Sequence, residues 1–217
     1  MFVREKRCED MNFKTTKERI IYESLVLFSQ KGYEGVSMRE IAAAVEIKAA
    51  SLYAHFSGKE AIYQAIVDTM KQRYNEKAMM LHIDGNIPDA DITVYENIST
   101  EQLYAIGEQL FLFFLHDEYT KMYRKMLTIE QFHNPVLAAE FSRQYYDEAI
   151  AYQKKLFAML AGKENFIEAD YEIMAVHFYS PMYTLITLCD RQPEREGEVL
   201  DLLKRHIEQF VRIYKKA

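Results

Sequence analysis

Few side chains in this 217-residue chain have the type and spacing needed for covalent or metal chemistry. Glu130-x-x-His133 has the spacing of one ligand pair of a di-iron centre in a four-helix bundle. That centre requires a second such pair and two further glutamates, and no second Glu-x-x-His occurs in the sequence. His116 and His177 then read as ordinary core or pocket-wall residues. Cys8 and Cys189 lie far apart and form no Cys-x-x-Cys, so they are expected to be free thiols in a reducing cytoplasm. No metal and no cofactor is expected.

The chemistry the chain does support is non-covalent. The stretch Ser37-Met-Arg-Glu-Ile-Ala-Ala-Ala-Val-Glu-Ile-Lys-Ala-Ala-Ser-Leu-Tyr-Ala-His-Phe56 reads as two short helices joined by a tight turn at Val45-Glu46-Ile47. Ile41, Val45, Ile47, Leu52 and Phe56 supply the apolar contacts between them, and the small Ala42 and Ala43 permit close approach. The second helix then presents Lys48, Ala49, Ala50, Ser51, Tyr53, Ala54 and His55 outward. A helix of that width fits the major groove of B-DNA. Tyr53 could instead be a plain surface residue, and His55 a packing residue beneath the following helix.

Start and stop signals place the elements that must hold this pair. Thr15-x-x-Glu18, Ser37-x-x-Glu40, Ser57-x-x-Glu60 and Ser99-x-x-Gln102 have the pattern of capping boxes. The first opens a helix with Ile20, Ile21, Ser24, Leu25 and Phe28 on one face, closed by Gly32 as a left-handed cap, with Tyr33 folding back. The second opens a short helix over about 38–44. The third opens a long connector running to about Leu81. Residues 82–98, with Asp84-Gly85-Asn86, Pro88, Asp89 and Asp91, are expected to form an acidic loop. Further helices are expected from Ser99 to about Leu115, over 119–131, from Asn134-Pro135 to near Leu160 with Gly162 as the stop, over 170–188, and over 194–215. Only seven Gly and four Pro occur, and no stretch alternates as a strand would, so the fold class is all-α.

At residues 15–70 the chain resembles the TetR family of bacterial repressors. The resemblance rests on Phe28-x3-Gly32-Tyr33, Ser37-Met-Arg-Glu-Ile-Ala42, Ser51-Leu-Tyr-x-His-Phe56 and Lys59-Glu60. It implies Ser37 and Lys59 on phosphates, Tyr53 and His55 on the backbone or neighbouring bases, and Lys48, Ala49, Ala50 and Ser51 facing the groove. It also implies a homodimer, a roughly palindromic operator, and a body whose ligand moves two DNA-binding heads. The chain departs from the family pattern where Glu46 replaces the usual Gly, Lys48 replaces a Ser cap, Ala50 stands where Gly is frequent, and Ala54 stands where a second aromatic is frequent. A non-Gly residue at a left-handed position 46 costs about 1 kcal/mol.

The domains expected are a flexible arm at 1–13, a helix-turn-helix head at 14–60, and an effector-binding and dimerisation body at 61–217. In the body, Phe111, Tyr123, Met126, Tyr145, His177 and Phe178 are the expected effector contacts, with His177 beside Phe178 and Tyr179 as a polar and aromatic wall. The last two helices carry Ile173, Val176, Tyr183, Leu200, Leu203, Ile207 and Phe210, which either pack on their own chain or build a four-helix interface with a two-fold copy.

Charge agrees with this division. Residues 1–77 hold 13 basic and 11 acidic side chains, net +2, whereas the remaining 140 residues are net −8. An acidic body turns the basic head toward phosphate. The start of the chain is charged and lacks an apolar signal core, and no apolar run approaches the ~18 residues of a membrane span. The function expected is therefore that of a cytoplasmic, homodimeric transcriptional repressor bound to double-stranded DNA and released by a small-molecule effector, and not that of an enzyme. The competing readings are a helical protein-binding adaptor and a helical-bundle metalloenzyme.

Overall fold

Capping chemistry starts the helices where local sequence dictates. The computed structural model describes residues 13–216, so the expected N-terminal arm, apart from Phe13, and Cys8 lie outside the described residues. Eleven α-helices occur among the described residues: α1 (Thr16–Lys31), α2 (Met38–Val45), α3 (Ala49–His55), α4 (Lys59–Met80), α5 (Pro88–Glu96), α6 (Thr100–His116), α7 (Glu118–Glu130), α8 (Pro135–Ser142), α9 (Glu148–Gly162), α10 (Tyr171–Arg191) and α11 (Glu196–Tyr214). Ser37 and Glu40 form a complete capping box, as do Ser99 and Gln102. Asn134 Oδ1 accepts the amides of Val136 and Leu137 ahead of Pro135. Thr15 makes only half of the expected box: its hydroxyl accepts the Glu18 amide, while the Glu18 carboxylate accepts the amide of Lys14.

Two units divide the chain. One comprises residues up to Lys71 together with Met122–Glu130, and the other comprises Gln72–Lys121 and the residues from Gln131 onward. Helices α4 and α7 therefore supply residues to both. The first unit buries Ile20, Leu25, Phe28, Ile41, Leu52, Ile62, Ile66, Met126 and Leu127. In the second, α6, α9, α10 and α11 surround a core in which Phe157, Phe166, Phe178 and Phe210 pack in tilted and edge-on pairs with centroids 4.8 to 6.4 Å apart. Leu203, Ile207 and Phe210 are buried in this core, whereas Ile173 is exposed. Part of the apolar set on the last two helices thus packs on its own chain.

Three expectations are corrected. The stretch expected to be an acidic loop contains α5. Pro88 occupies its first turn with Asp89 and Asp91, residues that favour a helix start for reasons of fixed φ and dipole. Asp91 is 1% exposed and accepts the amides of Asp84 and Gly85 and the hydroxyl of Tyr152. Burial, with the nearby carboxylates Asp91 and Asp84, pushes the Tyr74 hydroxyl beside this turn up to about 12. The helix expected from 134 to 160 is interrupted by a π-helical turn at Arg143–Asp147. It ends at Gly162, as expected, and Glu164, two residues further on, has a positive φ of 63°. Gly32 does have a positive φ of 78°, but with ψ 163° it is not an αL cap; its amide still donates to Phe28 O at 2.9 Å.

Glu46 adopts the left-handed conformation, φ 58° and ψ 40°, that the turn between α2 and α3 demands. Its side chain reaches Arg19 at 3.2 Å in an exposed pair, which offsets at most about 1 kcal/mol. Glu46→Gly is expected to raise stability by about 0.5 kcal/mol, the relief of αL strain outweighing the lost pair and the added freedom of the unfolded chain. Urea denaturation measures it, and a loss of similar size would show that the Arg19 pair dominates.

Candidate nucleic-acid interface

Helix α3 has seven residues, too few to be stable alone, so its orientation depends on what it buries. It buries one side chain, Leu52, which is fully enclosed, and Phe56 follows as a buried C-cap. Every other residue of α3 is exposed: Ala49, Ala50, Ser51, Tyr53, Ala54 and His55, as is Lys48 before it. Tyr53 is 55% exposed. Lys48 is the N-cap residue and makes no side-chain cap bond, as its lack of an acceptor requires. The outward face read from sequence is thus present as one continuous, solvent-facing strip with a cation at its start and an aromatic and a histidine further along.

Helix α2 sets the angle of α3. Ile41, Ala42 and Val45 are buried and Ile47 is half-buried. The Ile47 and Glu46 amides donate to Ala42 O and Ala43 O, which closes the turn. At the start of α2, Lys31, then the amide and hydroxyl of Ser37, hold the Glu40 carboxyl down at about 2. The capping box is therefore ionised at any neutral pH. Arg39, beside this cap, is exposed and was not among the residues singled out from sequence. Its only local signal is its place in the first turn of a capped helix.

Ser37 and Lys59 differ from the α3 strip. Ser37 is exposed, with its hydroxyl engaged in the box. Lys59 Nζ donates to Tyr33 O at 2.8 Å, lies 4.3 Å from the centre of the Tyr33 ring, and sits 3.7 Å from Glu34. A lysine in the first turn of a helix opposes the helix dipole, and its hold on this carbonyl supplies the reason for it. The Tyr33 hydroxyl donates to Glu60, and burial followed by that carboxylate raises its pKa.

The six expected effector residues fall in two different units. Tyr123 and Met126 belong to the first unit, where the Tyr123 hydroxyl lies 3.4 Å from that of Tyr63. Phe111 and Phe178 are buried in the core of the second, and Tyr145 rests against Phe141 and Tyr183. His177 is exposed and hydrogen-bonds Tyr214 at 2.6 Å, so it forms no wall with Phe178. Successive helical residues point about 100° apart, which separates this pair. Glu130 is buried and His133 exposed, and among the described residues no group of three or more His, Cys, Asp or Glu is placed to hold a metal ion.

A capped helix, a left-handed turn and a second helix anchored by one leucine and exposed elsewhere define a helix-turn-helix DNA-binding module. Residues 20–66 match the family of bacterial regulatory proteins called tetR. The chain is 30% identical over 154 residues to IcaR of Staphylococcus epidermidis, the helix-turn-helix negative transcriptional regulator of the biofilm operon icaADBC, covering 70% of this chain and 76% of that one. In fold it is similar to a TetR-family regulator from Mesorhizobium loti, with TM-score 0.65, 18% identity, and 93% and 97% of the two chains covered. It is also similar to SmeT of Stenotrophomonas maltophilia in complex with triclosan, with TM-score 0.62, 19% identity, and 93% and 92% covered.

The chain belongs to the TetR family of transcriptional regulators. It is a DNA-binding regulator and not an enzyme. Regulators of this family bind operator DNA and small-molecule ligands, typically as dimers. No helix among the described residues is long and apolar enough to cross a membrane.

Proposed function

We propose that this chain is a cytoplasmic homodimeric repressor that leaves a palindromic operator when a small-molecule effector binds its helical body. The observation that carries this reading is the α3 strip, exposed along its whole outward face and fixed from behind by Leu52. In this reading residues 14–60 are the reading head and 61–217 the sensing and pairing body. Lys48, Ala49, Ala50, Ser51, Tyr53, Ala54 and His55 enter the major groove. Ser37 and the exposed Arg39 approach phosphates. Lys59 acts indirectly, by holding the turn before α2. Phe111, Tyr145 and Phe178 are the effector candidates within the second unit. The effector acts only through its different affinity for the two spacings of the heads.

Selection from randomised duplex DNA at two salt concentrations tests the reading. The expected result is an enriched palindrome whose half-sites lie ~34 Å apart or a multiple of that, with affinity falling steeply in salt. Tyr53→Ala is expected to weaken the selected site roughly ten-fold, equal to about 1.4 kcal/mol, without moving Tm, because the ring is exposed. Enrichment of no sequence, with salt-insensitive capture of a protein partner, would establish an adaptor instead.

A further inference from the structure

Glu130 breaks three local rules at once. It is the last residue of α7, where the negative end of the helix dipole disfavours a carboxylate. It is 3% exposed, although acidic residues are almost never buried without partners. One of its oxygens, Oε2, has no hydrogen-bond partner among the described residues, a condition that costs stability. Local rules broken together mark sites kept for another purpose than stability.

The other oxygen shows the purpose. Glu130 Oε1 accepts the amide of Glu34 at 3.2 Å, across 96 residues of sequence. The carboxylate comes so close to Gly32 that a Cβ there would collide with Oε1, and Gly32 also has a positive φ. The turn it grips, residues 32–36, leads directly into the Ser37 cap of α2. The same turn is held from α4 by Lys59 on Tyr33 O and by Glu60 on the Tyr33 hydroxyl. The first turn of α4 and the last residue of α7 thus meet at this one turn.

We propose that Glu130 is a positioning residue for operator binding: its carboxylate ties the end of α7 to the turn between α1 and α2, and so sets the orientation of α2 and the recognition helix α3. It touches no DNA. The proposal rests on the helix-turn-helix reading of α3 and adds the element that holds it in place.

Its test separates orientation from folding. Glu130→Met fills the same volume, removes the unpaired buried oxygen, and cannot hold the Glu34 amide. Glu130→Gln keeps an acceptor. On the operator selected by the wild-type chain, the full-length Met variant is expected to bind at least roughly ten-fold more weakly, a loss of about 1.4 kcal/mol, with Tm equal to or above wild type. The Gln variant is expected to recover affinity to within about three-fold, a deficit near 0.7 kcal/mol. Amide exchange at Glu34 should accelerate in the Met variant alone. Wild-type affinity in the Met variant, or a loss that tracks a fall in Tm and is not rescued by Gln, overturns the proposal alone. A wild-type chain that selects no operator overturns the regulator reading, and this proposal with it.

Discussion

Leu52→Ala is expected to remove operator binding and to cost about 3 kcal/mol of stability in the first unit. The leucine is fully enclosed and is the one buried side chain of a seven-residue helix. Truncation forfeits the transfer energy of three carbons and leaves a cavity where the fully enclosed side chain stood. Because so short a helix has no independent stability, the loss appears as disorder of α3 before it appears as unfolding of the chain. Amide exchange across residues 48–56, followed beside operator affinity, reads this directly. Ser51→Ala is the control: one residue away but exposed, it is expected to change stability by less than about 0.5 kcal/mol. Equal protection of α3 in the Leu52→Ala and wild-type chains would show that α3 is held by something other than this anchor.

The second large effect is expected at Asp117, between α6 and α7. Its carboxylate accepts from both the amide and the hydroxyl of Thr120 at 2.9 Å, which caps α7. It also receives Nε and Nη2 of Arg73 from α4, and the guanidinium lies 4.6 Å from the centre of the Tyr119 ring. Asp117→Ala leaves that guanidinium without its anion and the start of α7 uncapped. A fully buried pair broken in this way costs about 3–5 kcal/mol; with the Arg73 side chain 38% exposed, solvent screens part of this, and about 2 kcal/mol is expected. Asp117→Asn keeps a cap acceptor and is expected to lose about half as much.

This site also carries a pH dependence of definite sign. Burial alone would raise the Asp117 carboxyl, but Arg73 and Thr120 outweigh it and hold the group below its usual range. A group with a depressed folded-state pKa stabilises the fold above its unfolded value, about 3.9, and the contribution fades as pH falls through the folded value. The stability gap between the wild-type and Asp117→Asn chains, measured by urea denaturation, is therefore expected to be constant from about pH 7 to 5 and to shrink below about pH 4. A gap that persists unchanged in acid would mean that packing, and not charge, holds this junction.

What the sequence determined by itself is what acts across a few residues. The Ser37–Glu40 and Ser99–Gln102 boxes and the Asn134–Pro135 start all follow from neighbours within three positions, and all are in place. The buried set Ile41, Val45, Leu52 and Phe56 follows equally from helical period, and with it the exposed strip of α3. Distance along the chain is what hid the rest. Lys59 finds a partner, Tyr33 O, 26 residues away, which no neighbour in sequence announces. Asp91 anchors an expected loop because Tyr152, 61 residues on, meets it. His177 faces out and Phe178 in, and Glu130 is enclosed while His133 is not, because only packing chooses the rotation of a helix whose apolar residues lie on more than one side. Local hydrogen-bond geometry is written in spacing. The partner of a buried charge is decided by which helices pack together, and the tertiary structure alone supplies that.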